Sequence, residues 1–293
     1  MSQLGLAIGF GMVTAGILAV STVAVTLQYS VTNVPNFAHG DIMTLGAYTA
    51  YTTGLLINNL LLEAVAAVLV GGLFAFLMNW GLLQPFIRAG VRNIIVLVIT
   101  VATSLILQNI LLAVFGGSEV DYKLPPDQPH RYGPFSWTNR DIAIMVAAAV
   151  VLVSVHVVLR YTRFGKAQRA VSDSPELARV SGIDSHRVVN LTWLWAGAMT
   201  GFAGFILAAS VGAFTPSVGF TFLLVVFAAA VVGGIGQPYG AMLGALLIGV
   251  TMEVSALYLS SQWKQAVAFA LLILALLFRP SGLIAARARN IVY

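Results

Sequence analysis

RYTRFGKAQRAVSDSPELARVSGIDSHR runs from Arg160 to Arg187 and stands between two apolar runs, IAIMVAAAVVLVSVHVVL over 142–159 and VNLTWLWAGAMTGFAGFILAASV over 189–211. A helix needs about 20 mainly apolar residues to cross the hydrocarbon core of a bilayer, and both flanking runs have that character. A Lys/Arg excess in a short loop marks the cytoplasmic side. A membrane protein that keeps such a segment presents it to something in the cytoplasm. This favours a channel or a transporter subunit with a soluble partner over a passive lipid-embedded scaffold.

The rest of the chain has the composition of the flanking runs. Of 293 residues, 59% are hydrophobic and 9% charged, and the mean hydropathy is +0.93. These values exclude a soluble globular domain and place the chain among multi-span, all-α helical membrane proteins. Cysteine is absent, which leaves no disulfide framework, thiolate nucleophile or sulfur metal site. The opening MSQLGLAIGFGMV lacks the basic region of a cleaved signal peptide, so the first apolar stretch is expected to remain as a helix. The 28 glycines suit membrane helices whose backbones approach closely.

Nine apolar segments are expected: Leu4 to Gln28, Asp41 to Ile57, Leu61 to Leu83, Ile94 to Phe115, Ile142 to Leu159, Val189 to Val211, Phe220 to Ile235, Tyr239 to Leu259 and Val267 to Phe278. The second, seventh and ninth are short, and a short segment fits a broken or re-entrant helix lining a cavity. Eight or nine membrane segments in one transmembrane domain over 1–293 is the resulting expectation. With the 160–188 segment inside, strict alternation places eleven of the fifteen basic residues inside. Lys123, Arg131, Arg140 and Lys264 fall outside. The loop 116–140 then lies outside, and its Pro125, Pro126, Pro129 and Pro134 predict an extended cap rather than a helix.

Within the cytoplasmic segment, Asp173-Ser174-Pro175-Glu176 reads as a helix start. Asp173 or Ser174 caps, Pro175 suits the first helical position, and Glu176 meets the positive end of the dipole. The helix through Leu177 and Arg179 ends at Gly182 and is too short to be stable alone, so it needs a surface to rest on. Two readings stand: a docking element for a soluble partner, and a basic loop against lipid headgroups. No phosphate-binding loop is present, since the glycines at 233, 234, 236 and 240 precede no Lys-Ser/Thr pair. Those glycines suit a tight helix crossing or a helix break that offers backbone groups to a solute.

Polar residues inside apolar runs are costly and therefore informative. Asn36, His39 and Asp41 gather before the short second segment, Gln108 and Asn109 sit within the fourth, Glu63 begins the third and Glu253 lies deep in the eighth. Asn36, His39, Gln108 and Glu253 are the candidates for a translocation path. His39 and Asp41 are two apart and so point to different faces of a helix, which disfavours a metal site. His156 reads as a packed neutral histidine. Nothing combines a nucleophile, a base and an orienting group, so no catalytic residue is expected.

Asn36-Phe37-Ala38-His39-Gly40, followed by Gly46-Ala47-Tyr48, resembles the signature of the branched-chain amino acid permease family of bacterial ABC importers. The resemblance continues through Gly165-Lys166-Ala167-Gln168-Arg169-Ala170, Pro175-Glu176-Leu177-Ala178-Arg179, Gly182-Ile183, Pro216-Ser217-Val218-Gly219 and Val231-Val232-Gly233-Gly234-Ile235-Gly236, and closes at Arg279-Pro280-Ser281-Gly282-Leu283. Length matches the shorter of the family's two permease types. The resemblance implies a multi-pass protein of the bacterial inner membrane, paired with a second permease, two cytoplasmic ATPases and a periplasmic binding protein. It also implies contact with membrane lipid and none with nucleic acid. ATP and Mg would be bound by the ATPases, with no cofactor in this chain. Asp173 to Gly182 would rest in a groove of an ATPase, and leucine, isoleucine and valine would be the solutes. Similar permeases serve urea, short amides or other amino acids, and Ser30, Pro35, Lys166 and Gln168 depart from the usual pattern. An autonomous channel is the alternative from a different class.

Overall fold

A computed structural model describes residues 3–122, 127–279 and 282–284. Lys123, Pro125, Pro126, Pro280, Ser281, Arg287 and Arg289 lie outside the described residues. In lipid a backbone must satisfy its own hydrogen bonds, and helices do so within one segment. The chain accordingly forms α1 (Gln3–Thr32), α2 (His39–Ile57), α3 (Leu60–Leu77), α4 (Gln84–Arg88), α5 (Asn93–Phe115), α6 (Asn139–Tyr161), α7 (Arg163–Asp173), α8 (Pro175–Val180), α9 (Ser185–Val211), α10 (Val218–Gly233), α11 (Pro238–Ser255) and α12 (Lys264–Phe278). A π-helical turn, Met78–Leu83, joins α3 to α4. All nine apolar segments expected from sequence are helical. Among the described residues seven helices are long and apolar enough to cross a membrane, and α10 is a shorter apolar helix. The chain is thus a polytopic helical membrane protein.

The described residues group into two compact units. One comprises 27–122 and 153–223. Its centre is a three-helix contact among α2, α3 and α9, made by residues that lack side-chain bulk. A Cβ on Gly201 would collide with the Ala67 carbonyl oxygen, one on Gly46 with the Gly201 carbonyl, and one on Gly204 with the Met43 carbonyl. Gly40 and Gly219 bring α2 and the start of α10 together in the same way, and the Gly219 N–H donates to Thr44 Oγ1 at 3.0 Å. Lipid tails are as apolar as leucine, so this dispersion contact, rather than water exclusion, holds the helices together. At one end of the unit, Val120-Asp121 pairs antiparallel with Ala213-Phe214. There the Tyr122 hydroxyl donates to the buried Glu63 carboxylate. Burial, then that hydrogen bond, push the Tyr122 phenol well above its ordinary pKa.

The other unit comprises the described residues within 1–26, 123–152 and 224–293. Gly11 and Gly249 seat α1 against α11. Gly233, Gly240 and Gly244 seat the end of α10 against α11. The turn between those helices needs positive φ at Gly234 and Gly236, +109° and +88°, which glycine adopts without a steric penalty. The Val232 and Gly233 carbonyls that the helix end leaves free accept from the N–H groups of Leu283 and Ile284, at 2.9 and 3.2 Å. In the loop expected to be an extended cap, His130–Tyr132 and Phe135–Trp137 form a two-stranded hairpin. Helix α12 is anchored by Lys264, whose Nζ lies 2.7 Å from the Glu253 carboxylate.

Replacing Gly201 by Val is expected to destabilise the chain by about 1–3 kcal/mol, because the backbones of α3 and α9 must part to admit the side chain. Gly81, which has open space where a Cβ would stand, serves as the control. Gly81→Ala is expected to change stability by less than about 1 kcal/mol. Thermal unfolding of the detergent-solubilised protein reads both, and equal shifts would show that the contact is not the limiting one.

Candidate functional site

The basic segment folds into two helices. Helix α7, not among the elements expected from sequence, has Thr162 as its N-cap, with Oγ1 accepting from Gly165 N–H at 3.1 Å. Arg163, Lys166 and Arg169 are exposed, while Gly165, Gln168 and Val171 are buried. Helix α8 then starts with Ser174 as cap, its Oγ accepting from the Leu177 N–H at 3.3 Å, and Pro175 in the first position. It ends in a two-bond C-cap: Gly182 N–H donates to Arg179 O and Ile183 N–H to Ala178 O, each at 2.9 Å. Gly182 takes the left-handed φ, +82°, that this ending requires.

One face of α8 is held and the other is free. Ala178 packs with Val171, Val188, Phe164 and Ile183, joining α7, α8 and the start of α9 in a small apolar core. The Ser185 hydroxyl donates to the Pro175 carbonyl at 3.2 Å. On the outer face Glu176 and Arg179 are exposed, as are two apolar side chains, Leu177 at 68% and Val180 at 87%, and Asp173, the last residue of α7, is exposed beside them in the chain. An apolar pair so exposed on a six-residue helix has no folding role to explain it.

Five residues beyond the start of α9, Asn190 forms a node that sequence reasoning missed. Its Oδ1 accepts from Asn79 Nδ2 at 2.7 Å and from Gln84 Nε2 at 2.6 Å, and Gln84 Oε1 in turn accepts from Arg88 at 3.1 Å. Asn79 lies in the π-helical turn, a local widening that is frequent at functional sites. The node ties α9, close to the point where it leaves α8, to the α3–α4 helix.

The translocation candidates fall into different surroundings. Asn36 is buried, donating to Gln28 Oε1 at 3.1 Å and accepting from the Ala38 N–H at 3.1 Å. His39 is buried with Nδ1 3.3 Å from Thr200 Oγ1. Asp41, not among the candidates, is buried and accepts from the Ser104 hydroxyl. Glu253 is held by Lys264 at 2.7 Å and by Thr14 at 3.2 Å. Gln108 lines a cavity of about 380 Å³, together with Asn109, Leu112, Gly117, Thr215, Pro216 and Ser217.

A family model described as "Branched-chain amino acid transport system / permease component" matches residues 7–276. The chain belongs to this branched-chain amino acid permease family. It is 32% identical to the high-affinity branched-chain amino acid transport system permease protein LivH of Salmonella typhimurium, over 94% of this chain and 93% of that protein. It is 30% identical to the corresponding BraD of Pseudomonas aeruginosa, with the same coverage. The ribose import permease RbsC of Escherichia coli is 24% identical over 88% of this chain and 81% of its own. Among solved structures, PsaBC from Streptococcus pneumoniae in complex with Fab matches at a TM-score of 0.51 and 14% identity, over 91% and 90% of the two chains. That likeness is one of fold. As a permease component the protein is a transport subunit.

The Asn190 node can be weighed directly. Asn190→Leu strands two buried amide donors and is expected to cost about 1–2 kcal/mol, the upper part of the range for hydrogen bonds between membrane helices. Asn190→Asp keeps an acceptor in place and is expected to recover most of that loss. Unfolding of both variants in detergent checks it, and indifference to Leu would show that Asn79 and Gln84 find other partners.

Proposed function

We propose that this chain is the membrane-spanning permease of an ATP-driven importer that carries leucine, isoleucine or valine across the bacterial inner membrane by alternating access. The reading assigns it a second, related permease, two cytoplasmic ATPases that bind ATP and Mg, and a periplasmic binding protein. The observation that carries it is α8, in a chain of this family. A six-residue helix is unstable in isolation, yet here it is capped at both ends, fixed by its inner face to α7 and α9, and left with Leu177 and Val180 uncovered. Such a helix suits a groove on a soluble partner, with Glu176 and Arg179 at the rim. The relatives whose names specify branched-chain amino acid transport support the solute class.

Coupling runs through this chain's own packing. A movement imposed on α8 reaches α9 through Ala178, Val188 and the Ser185–Pro175 bond. From α9 it reaches α2 and α3 through the glycine contacts, which leave no slack for sliding. The transported solute undergoes no covalent change, and binding and hydrolysis of ATP belong to the partner chains.

Leu177→Asp and Glu176→Lys test this. Leu177→Asp, a surface change, is expected to leave the chain's own stability within about 0.5 kcal/mol. Both variants are expected to weaken assembly with the ATPases or to remove the stimulation of ATP hydrolysis by solute-loaded binding protein. Normal assembly together with normal stimulation in both would reassign α8 to the lipid headgroups. Solute flux through this chain alone, without ATPases, would replace the importer by a channel.

A further inference from the structure

The cavity beside Gln108 is lined by uncharged residues, polar and apolar together. Gln108, Asn109 and Leu112 come from the last two turns of α5, and Thr215, Pro216 and Ser217 from the turn that starts α10. Its volume, about 380 Å³, lies within the range of small-molecule sites. No ionisable side chain lines it. An ion with net charge would enter without a counter-charge and lose much of its hydration, which is costly.

The polar groups that are present have unused capacity. Among the described residues no hydrogen bond engages the Gln108 amide, although it belongs to a membrane-spanning helix. Asn109 uses its Nδ2 on the Leu105 carbonyl at 2.8 Å, which leaves its amide oxygen. The Thr215 and Ser217 hydroxyls lie 3.0 Å apart, so one donates to the other and the second keeps its hydrogen to give. Amide oxygens on one side and an amide N–H with a hydroxyl on the other supply acceptors and donors together. Leu112 and Pro216 add apolar surface.

We infer that this cavity is a transient subsite for a small aliphatic amino acid in its zwitterionic form. The ammonium faces the amide oxygens of Gln108 and Asn109, the carboxylate takes the Gln108 N–H and the free hydroxyl hydrogen, and the side chain lies on Leu112 and Pro216. Neutral partners hold each end weakly, which suits a site that a solute must leave as readily as it enters. The inference rests on the importer reading and names where along this chain the solute pauses.

The absence of native cysteine makes the test direct. Ser217→Cys and, separately, Asn109→Cys are placed in the complete transporter, purified in detergent with its partner chains. Labelling of this chain by a small, water-soluble methanethiosulfonate is followed by mass, with Gln128→Cys, in an exposed loop, as control. Leucine or valine at about ten times its dissociation constant is expected to slow labelling of both cavity cysteines about tenfold by mass action. Lysine and glutamate are expected to have little effect, and the control none.

Undiminished labelling in saturating leucine at both positions would overturn the subsite, as would equal protection by lysine and glutamate. Protection by urea or acetamide, without protection by leucine, would overturn the amino acid assignment. Uptake in proteoliposomes separates the two readings. Intact leucine uptake without protection removes the subsite and keeps the importer, whereas protection without ATP-driven uptake removes the importer and keeps the subsite.

Discussion

Helices in lipid gain nothing from hiding leucine from leucine-like surroundings, so the architecture depends on how closely backbones can approach. Gly71, Gly197 and Gly201 let α3 and α9 meet main chain to main chain, and Gly46 and Gly204 bring α2 against α9 in the same manner. Several features of this unit stand on the helices that this contact joins. It sets the depth of Asn190 against the π-helical turn of α3, fixes His39 beside Thr200 on α9, and gives α8 a rigid helix to stand on. Contacts of this kind cannot deform gradually, since the nearest neighbours are carbonyl oxygens rather than flexible side chains. A force on α8 therefore displaces α9, α3 and α2 as a block before it changes the spacing between them.

What the sequence made legible is what depends on neighbours in the chain. Ser174-Pro175 and Gly182 bracket α8 because a cap hydroxyl, a proline in the first turn and a left-handed glycine act within four or five residues. The nine apolar segments were legible for the same reason, as hydrophobicity summed over a window needs no tertiary information. Helix α7 was missed although its pattern is local. Arg163, Lys166 and Arg169 dominate its composition and hide an apolar stripe of Phe164, Ala167 and Val171.

The candidate site was less legible, because its partners are remote along the chain. Asn79 and Gln84 find Asn190 across 111 and 106 positions, and Asp41 finds Ser104 across 63. No periodicity relates such residues. Asn190 is one polar residue near the start of an apolar run, and its pattern alone does not separate it from a residue facing headgroups. The π-helical turn is equally silent, since MNWGLL contains neither proline nor a charged residue to mark a break.

A polar group within a membrane segment is either spent on the protein or kept for something else. Asn36 is spent on Gln28 and the Ala38 N–H, His39 meets Thr200, and Glu253 is spent on Lys264 and Thr14. These bonds hold helix ends and crossings, and breaking them for a passing solute would leave buried groups unpaired at a cost of about 1–3 kcal/mol each. Gln108 carries no such commitment and borders open space. On the proposed importer reading, a path that draws on uncommitted, uncharged groups exerts little discrimination between one aliphatic side chain and another. That reading places selectivity before the membrane, in the proposed binding protein that encloses the solute, and leaves this chain to lower the barrier for whatever that protein delivers.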